Sequence, residues 1–310
     1  MAMPNLTRRA FTSATTALAV TGLSAQTRIP GTTNIHDCCI HIIGAAARYP
    51  MLPDRPYTSP TATVTDLMQL RRRTGIARNI LIQPSLYGFD NSCMVDALRE
   101  LGDTARGIAV VPNDIADAKL AELDRQGVRG LRINYESLGK RDPAGAAEAL
   151  EALAPRAAKL GWHLQFYAVL PVIAAIADRI GSLSVPLVID HFGMPRAEQG
   201  IKQPGFDILL ELVRAKKAFV KLSAPYRISD APNFEDVAPF ARALIAAGPD
   251  RMLWGSDWPH TNRSAAVPTD VSPFRQVDDT AALARFSGWC SDDAVRRQIL
   301  EETPARLYRF

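Results

Sequence analysis

Residues 129–167 read RGLRINYESLGKRDPAGAAEALEALAPRAAKLGWHLQFY, and this stretch decides the fold. A short apolar run at 129–134 leads through a polar connection into a long helical pattern at 144–160. Gly161 follows at once, where a left-handed residue usually ends a helix. A second short run, 163–167, comes next. The strand–helix–strand order predicts two parallel neighbours in one sheet.

The same unit repeats outward in both directions. Strands are predicted at 34–42, 77–83 and 106–111 before it, and at 186–190, 218–223 and 252–256 after it. Helical patterns lie near 64–74, 91–101, 116–126, 171–181, 206–215, 234–247 and 278–287, with a terminal helix at 291–301 and Ser291 as its N-cap. Gly127, like Gly161, stands just past a helical pattern. Eight units in about 270 residues predict an α/β fold, a single-domain (β/α)8 barrel over 34–310, with an open doubly wound sheet as the alternative. The Pro-rich stretch 50–60 reads as a long loop after the first strand, on the face where such barrels carry their chemistry.

Bulk properties narrow the function classes. The chain has 310 residues, 47% hydrophobic and 22% charged, with a mean hydropathy of −0.04. That describes a globule with a large core and predicts no transmembrane helix in the mature part. The formal charge of +4 is too small, and too evenly spread, to argue for nucleic acid. Residues 1–27 carry Arg8-Arg9, a mildly apolar stretch from Thr12 to Leu23, then Ser24 and Ala25. This order reads as a twin-arginine-type bacterial export signal and predicts a periplasmic protein; a surface helix with a chance arginine pair is the alternative. The cysteines, Cys38, Cys39, Cys93 and Cys290, show neither disulfide nor zinc-knuckle spacing.

In a barrel the chemistry belongs at the C-terminal strand ends. Strand one ends in Cys39 and His41, which alternation puts on one face. Strand two runs out at Gln83 and Ser85, strand four at Arg132 and Asn134, and strand five at Gln165 and Tyr167. Strand six ends at His191, strand seven at Ser223 with Arg227 beyond, and strand eight at Asp257 with His260 beyond. Each residue alone has an ordinary structural reading, and the functional reading rests on their convergence.

These residues resemble the amidohydrolase-related barrels, closest to the 2-pyrone-4,6-dicarboxylate lactonase branch. The motifs are Asp37-x-x-x-His41, Asp90-Asn91, Gly130-Leu131-Arg132-Ile133-Asn134, Gly161-Trp162-His163, Asp190-His191-x-Gly193, Lys221-x-Ser223 and Trp254-Gly255-Ser256-Asp257-Trp258-Pro259-His260. The resemblance implies lactone hydrolysis, with Asp257 as the base that activates water and His41 and His191 stabilising the oxyanion. It implies that Arg227 grips a substrate carboxylate, and that Arg132, Tyr167, Gln83 and His260 line the site, with Asn134 and Ser85 beside them. The partner implied is a small carboxylated lactone.

Two departures matter. The superfamily's first-strand His-x-His is here Cys39-x-His41. The branch resembled requires no metal, so no cofactor is implied, while one zinc ion on Cys39, His41, His191 and Asp257 is the alternative. The adjacent arginines of dicarboxylate lactonases are replaced by Tyr135–Arg141, where Lys140 or Arg141 could substitute. A lactone isomerase, a metal-dependent decarboxylase or amide hydrolase, and a non-catalytic binding barrel are the competing readings.

Overall fold

A computed structural model describes Met1 and residues 29–310; apart from Met1, the predicted export signal lies outside the described residues. Eight strands form one parallel sheet: β1 (His36–Ile40), β2 (Arg78–Ile82), β3 (Ala105–Ala109), β4 (Val128–Asn134), β5 (His163–Tyr167), β6 (Leu187–Ile189), β7 (Ala218–Ser223) and β8 (Met252–Gly255). They lie in sequence order, each paired in parallel with the next. Past the end of β8 the chain returns to β1: His41 N–H donates to Trp258 O at 2.8 Å, and Asp257 N–H donates to Cys39 O at 2.8 Å. The sheet is thus a nearly closed barrel, which removes the doubly wound alternative.

Helices cover the outside: α1 (Val64–Thr74), α2 (Ser92–Leu101), α3 (Asp117–Arg125), α4 (Pro143–Lys159), α5 (Leu170–Ala175), α6 (Ala177–Ser182), α7 (Phe206–Arg214), α8 (Ala238–Ala247) and α9 (Asp279–Trp289). Three expectations shift. The helix predicted at 171–181 is broken at Ile176 into α5 and α6. The one at 234–247 begins with a 3-10 segment, Pro232–Val237, before α8. The last helix is capped by Asp292, whose carboxylate accepts from Ala294 N–H and Val295 N–H, not by Ser291. Gly127 and Gly161 do take left-handed φ, 93° and 64°. Among the described residues no helix is long and apolar enough to cross a membrane.

Alternation sorts the strand residues into two layers. Leu131, Leu164, Phe166, Leu187, Ile189, Val220, Leu222 and Trp254 point out and pack under the helices. Ile80, Ile82, Ile108, Val188, Phe219 and Leu253 fill the barrel, with Tyr308 closing its floor. His163 also sits at that floor, its ring 5.2 Å from the Tyr308 ring and edge to face.

β1 breaks the alternation where it counts. Asp37 pairs with Asn79 and Ile40 with Leu81, so two residues of β1 stand opposite one of β2. This bulge turns both Cys38 and Cys39 into the barrel and keeps His41 inward. Asp37 braces it: its carboxylate accepts from Cys39 N–H at 3.1 Å, Ser256 N–H at 2.9 Å and Ser256 Oγ–H at 2.5 Å. Gly255 makes room for it, since a Cβ there would stand 2.6 Å from Cys39 Cβ and 2.9 Å from Cys39 N. A backbone atom cannot yield as a side-chain tip can. Gly255→Ala is expected to cost roughly 1–3 kcal/mol by overpacking. Urea unfolding of the variant measures it, and wild-type stability would contradict the packing described.

Candidate active site

The two oxygens of Asp257 have different surroundings. Oδ2 accepts from Arg227 Nε at 2.9 Å, Arg227 Nη2 at 2.6 Å and Tyr226 OH at 2.8 Å. Oδ1 faces the barrel axis, with His41 Nε2 at 3.4 Å, Cys39 Sγ at 3.6 Å and His191 Nε2 at 3.8 Å. The carboxylate is fully buried. Burial alone would raise its pKa, but Arg227 and the two histidines outweigh it and hold the group well below the usual carboxylate range. One oxygen is saturated and the other is an ionised acceptor.

Local backbone puts these groups together. Asp257 has φ 66°, His191 φ 50° and His260 φ 64°, left-handed conformations that non-glycine residues avoid. Asp257 and His191 each follow a strand end, where the chain turns sharply out of the barrel and swings the side chain over the axis, while the His260 ring sits behind Asp257 against Tyr226 and Asp279.

The histidines are oriented from behind. His41 Nδ1 lies 2.8 Å from Ile82 O. A carbonyl only accepts, so Nδ1 carries a proton and Nε2 is the nitrogen that faces Oδ1. His191 Nδ1 lies 2.8 Å from Ser223 Oγ. Burial lowers the His191 pKa to about 4, which leaves the ring neutral at neutral pH. A hydroxyl can donate to Nδ1, and His191 then offers an Nε2–H toward the same centre.

Cys39 Sγ, His41 Nε2 and Asp257 Oδ1 lie within 4.8 Å of one another. Tetrahedral zinc with bonds of about 2.0–2.3 Å separates its ligands by roughly 3.3–3.7 Å. The 3.4 and 3.6 Å spacings of His41 and Cys39 from Oδ1 suit such an ion, while His191 Nε2, 3.8 Å from Oδ1, stands outside the group of three. Without an ion, burial pushes the Cys39 thiol well above its ordinary value, so the sulfur stays protonated and donates to Oδ1.

Beneath this centre lies a charged layer. Lys221 Nζ is 3.1 Å from Asp190 Oδ1, and Arg132 Nη2 is 3.4 Å from Asp190 Oδ2, which also accepts from Gln165 Nε2 at 2.9 Å. Burial would raise Asp190, but Lys221 and Arg132 bring it down to about 2. The Tyr167 ring stands edge to face against His191 at 4.9 Å, with the Arg132 guanidinium 5.3 Å from its centre.

Of the residues singled out in the sequence, Cys39, His41, His191 and Asp257 converge directly. Tyr167 and Arg132 adjoin them. Arg227 departs from expectation: Nε and Nη2 both close on Asp257, so its fork is not open for a bidentate grip on a substrate carboxylate. Gln83 and Asn134 are engaged with their own loops. Gln83 Nε2 donates to Gly88 O and Asp90 O at 3.3 and 2.7 Å, and Asn134 Oδ1 accepts from Ser137 N–H at 3.0 Å. Ser85 is half-buried and begins the turn Ser85–Tyr87. Lys140 and Arg141 are exposed, Lys140 over the Tyr135 ring and Arg141 beside Glu136. The His260 ring reaches the Asp257 carboxylate through Tyr226. Tyr226 and Asp279 were missed. Tyr226 immediately precedes Arg227, which could have flagged it. Asp279 lies on a helix far past the strand end and carries no local signal.

The chain belongs to the amidohydrolase family. That family's model matches residues 36–310. The chain is 34% identical over 283 residues to the 2-pyrone-4,6-dicarboxylate hydrolase of Comamonas testosteroni, with 88% of this chain and 89% of that one covered. It is 32% identical over 275 residues to the 4-sulfomuconolactone hydrolase of Rhizobium radiobacter, with the same coverage. A crystal structure of a probable 2-pyrone-4,6-dicarboxylic acid hydrolase from Acinetobacter baumannii, with citric acid bound, superimposes with a TM-score of 0.76 at 25% identity, covering 89% of this chain and all of that one.

Buried imidazoles tie the stability of this amidohydrolase barrel to pH. Burial lowers His36 and His191 to about 4 and His163 to about 3. Between those values and about 6.5 the unfolded chain binds three protons that the folded chain refuses. Asp37 works the other way, because burial raises it to about 7 and the folded chain keeps its proton. The net difference is about two protons held by the unfolded chain. Stability should therefore fall as pH drops from 6.5 toward 4, by roughly 2–3 kcal/mol per unit. Denaturant midpoints at pH 7 and pH 5 test this, and equal midpoints would refute it.

Proposed function

We propose that this chain is a hydrolase that opens a small carboxylated lactone with water activated by Asp257. The observation that carries the reading is the asymmetry of Asp257: a saturated Oδ2 and an ionised Oδ1 aimed at two imidazoles. Relatives that hydrolyse a dicarboxylated pyrone and a sulfonated lactone support the substrate class.

A water lying between Oδ1 and His41 Nε2 can donate one proton to each acceptor, which aims its lone pair outward. It attacks the lactone carbonyl, and the transferred proton goes to Oδ1. The carbonyl oxygen becomes an oxyanion within reach of the His191 Nε2–H. The ring C–O bond then breaks, and the proton on Asp257 passes to the leaving oxygen. The product is an open-chain acid with a free hydroxyl or its keto tautomer. Arg227 keeps Asp257 ionised. Its Nη1 lies outside the pair with Asp257 and is left to meet the ligand's carboxylate, a single contact in place of the expected fork. His41 thereby becomes the water-orienting group and His191 the oxyanion donor. Cys39, His41 and Asp257 would hold a zinc ion, which would supply Lewis-acid polarisation of the carbonyl.

Asp257→Asn removes the proton acceptor and is expected to lower kcat about a hundredfold or more on a carboxylated lactone panel. Hydrolysis in ¹⁸O-labelled water should place one label in the product, with metal content measured on the same sample. Unchanged turnover in the variant would remove Asp257 as base. Unlabelled product would favour the isomerase reading.

Export is proposed on the order of the Arg8-Arg9 pair, the apolar stretch and the small residues in 1–27. The four cysteines are free and buried, which suits an oxidising compartment. Replacing both arginines with lysine should leave the full chain in the cytoplasm of a fractionated bacterial host; continued export would contradict the signal.

A further inference from the structure

The Gly161-Trp162-His163 motif takes no part in the chemistry at Asp257. It lies at the opposite end of the barrel, where β5 begins, and its three residues line a groove of about 470 Å³. Trp162, Val185, Phe219 and Leu307 give the groove apolar walls. Its volume suits a small organic molecule, and an apolar lining with a few polar groups is the usual make-up of such sites. This end of a barrel ordinarily serves stability.

His163 does not fit that role. It is 1% exposed, and neither ring nitrogen has a hydrogen-bond partner among the described residues. The Arg129 carbonyl acts on the ring from nearby but completes no hydrogen bond with either nitrogen. Burial keeps the imidazole neutral at neutral pH, so one nitrogen is an idle donor and the other an idle acceptor. An apolar side chain of the same shape would stabilise the floor better. Arg251 repeats the pattern at the wall. Its guanidinium lies 4.6 Å from the Phe219 ring centre, and its Nε is buried without a hydrogen-bond partner.

Charge at the groove has one sign. Lys216, Lys217, Arg251, Arg306 and Arg309 line it, and no acidic residue does. Asp250 Oδ2 stands 3.6 Å from both Lys216 Nζ and Arg251 Nε, and Asp124 Oδ1 stands 3.2 Å from Arg309 Nη2. Lys217 has no acidic partner among the described residues, and Arg306 meets only a carbonyl, Asp250 O at 3.5 Å. Both of these side chains are exposed. A concave surface of one charge sign gathers solutes of the other. We propose that the groove is a second binding site, for a small amphipathic carboxylate: Lys217 and Arg306 hold the carboxylate at the rim, the walls cover a ring-sized apolar body, and His163 meets a hydroxyl at its far end. A free phosphate would use the cations and leave the walls and His163 without a role.

Calorimetric titration of the full chain with 6-hydroxy-2-naphthoate and with 2-naphthoate tests the site. The wild type is expected to bind both, the hydroxylated probe about threefold tighter or more. Reversing two surface charges together, Lys217→Glu with Arg306→Glu, should weaken both probes about tenfold or more. His163→Phe keeps a flat ring at the floor and should make the two probes bind alike. Thermal unfolding of each variant checks that it is folded, and the charge-reversed chain decides the matter if His163→Phe is not. Wild-type affinity in the charge-reversed chain would put the probes elsewhere, the mouth of the barrel included, and overturn the proposal. A preference for the hydroxylated probe that survives in folded His163→Phe would overturn it as well. Inorganic phosphate bound as tightly as 2-naphthoate would reduce the groove to a cationic patch and overturn the amphipathic class. No heat from either probe at about millimolar concentration would overturn it outright.

Discussion

Arg227 meets one oxygen of Asp257 with two of its nitrogens, at 2.9 and 2.6 Å, inside a barrel that excludes water. A lone carboxylate at that depth would take up a proton, because desolvation penalises the charge far more than a distant field can repay. The guanidinium reverses that balance and also breaks the symmetry of the group. Oδ2 becomes an anchor and Oδ1 a working acceptor. The approach of His41, His191 and Cys39 to Oδ1 has chemical meaning only because Oδ2 is already occupied.

The charged layer below obeys the same rule. Arg132, Gln165 and Lys221 come from β4, β5 and β7, and all three meet Asp190, just past β6, at the barrel axis. Buried ions cost several kcal/mol each in desolvation, and mutual pairing offsets much of that without making such clusters a source of net stability. Their effect here is positional. Asp190 directly precedes His191, so tying its carboxylate to β4, β5 and β7 sets the point where the chain turns to present the imidazole. The bulge in β1 and the missing side chain at Gly255 do the same for Cys39 and His41 on the opposite side.

Much of this was legible in the chain itself. Period-two and helical patterns marked every strand and nearly every helix boundary, because each strand of a parallel barrel is short, apolar and bounded by a turn. The strand-end rule found His41, His191, Asp257 and Cys39 because a barrel has only one functional face. The same rule named Gln83 and Asn134, whose side chains also hold the loops next to them. It gave Arg227 a ligand, although a nearer anion of the same charge type stood within the protein. Asp279 escaped because its nearest functional partner is nineteen positions away and joined to it only through space.

The sequence by itself determined the barrel, its order of strands and the set of polar groups brought to one end. Those follow from periodicity and turn chemistry, which are local. Only the tertiary structure decided which oxygen of Asp257 is free, which nitrogen of His41 and His191 faces it, and that Arg227 closes on the other oxygen. Those are questions of distance and direction at the scale of a hydrogen bond, and residues far apart in the chain answer them only once the barrel has closed.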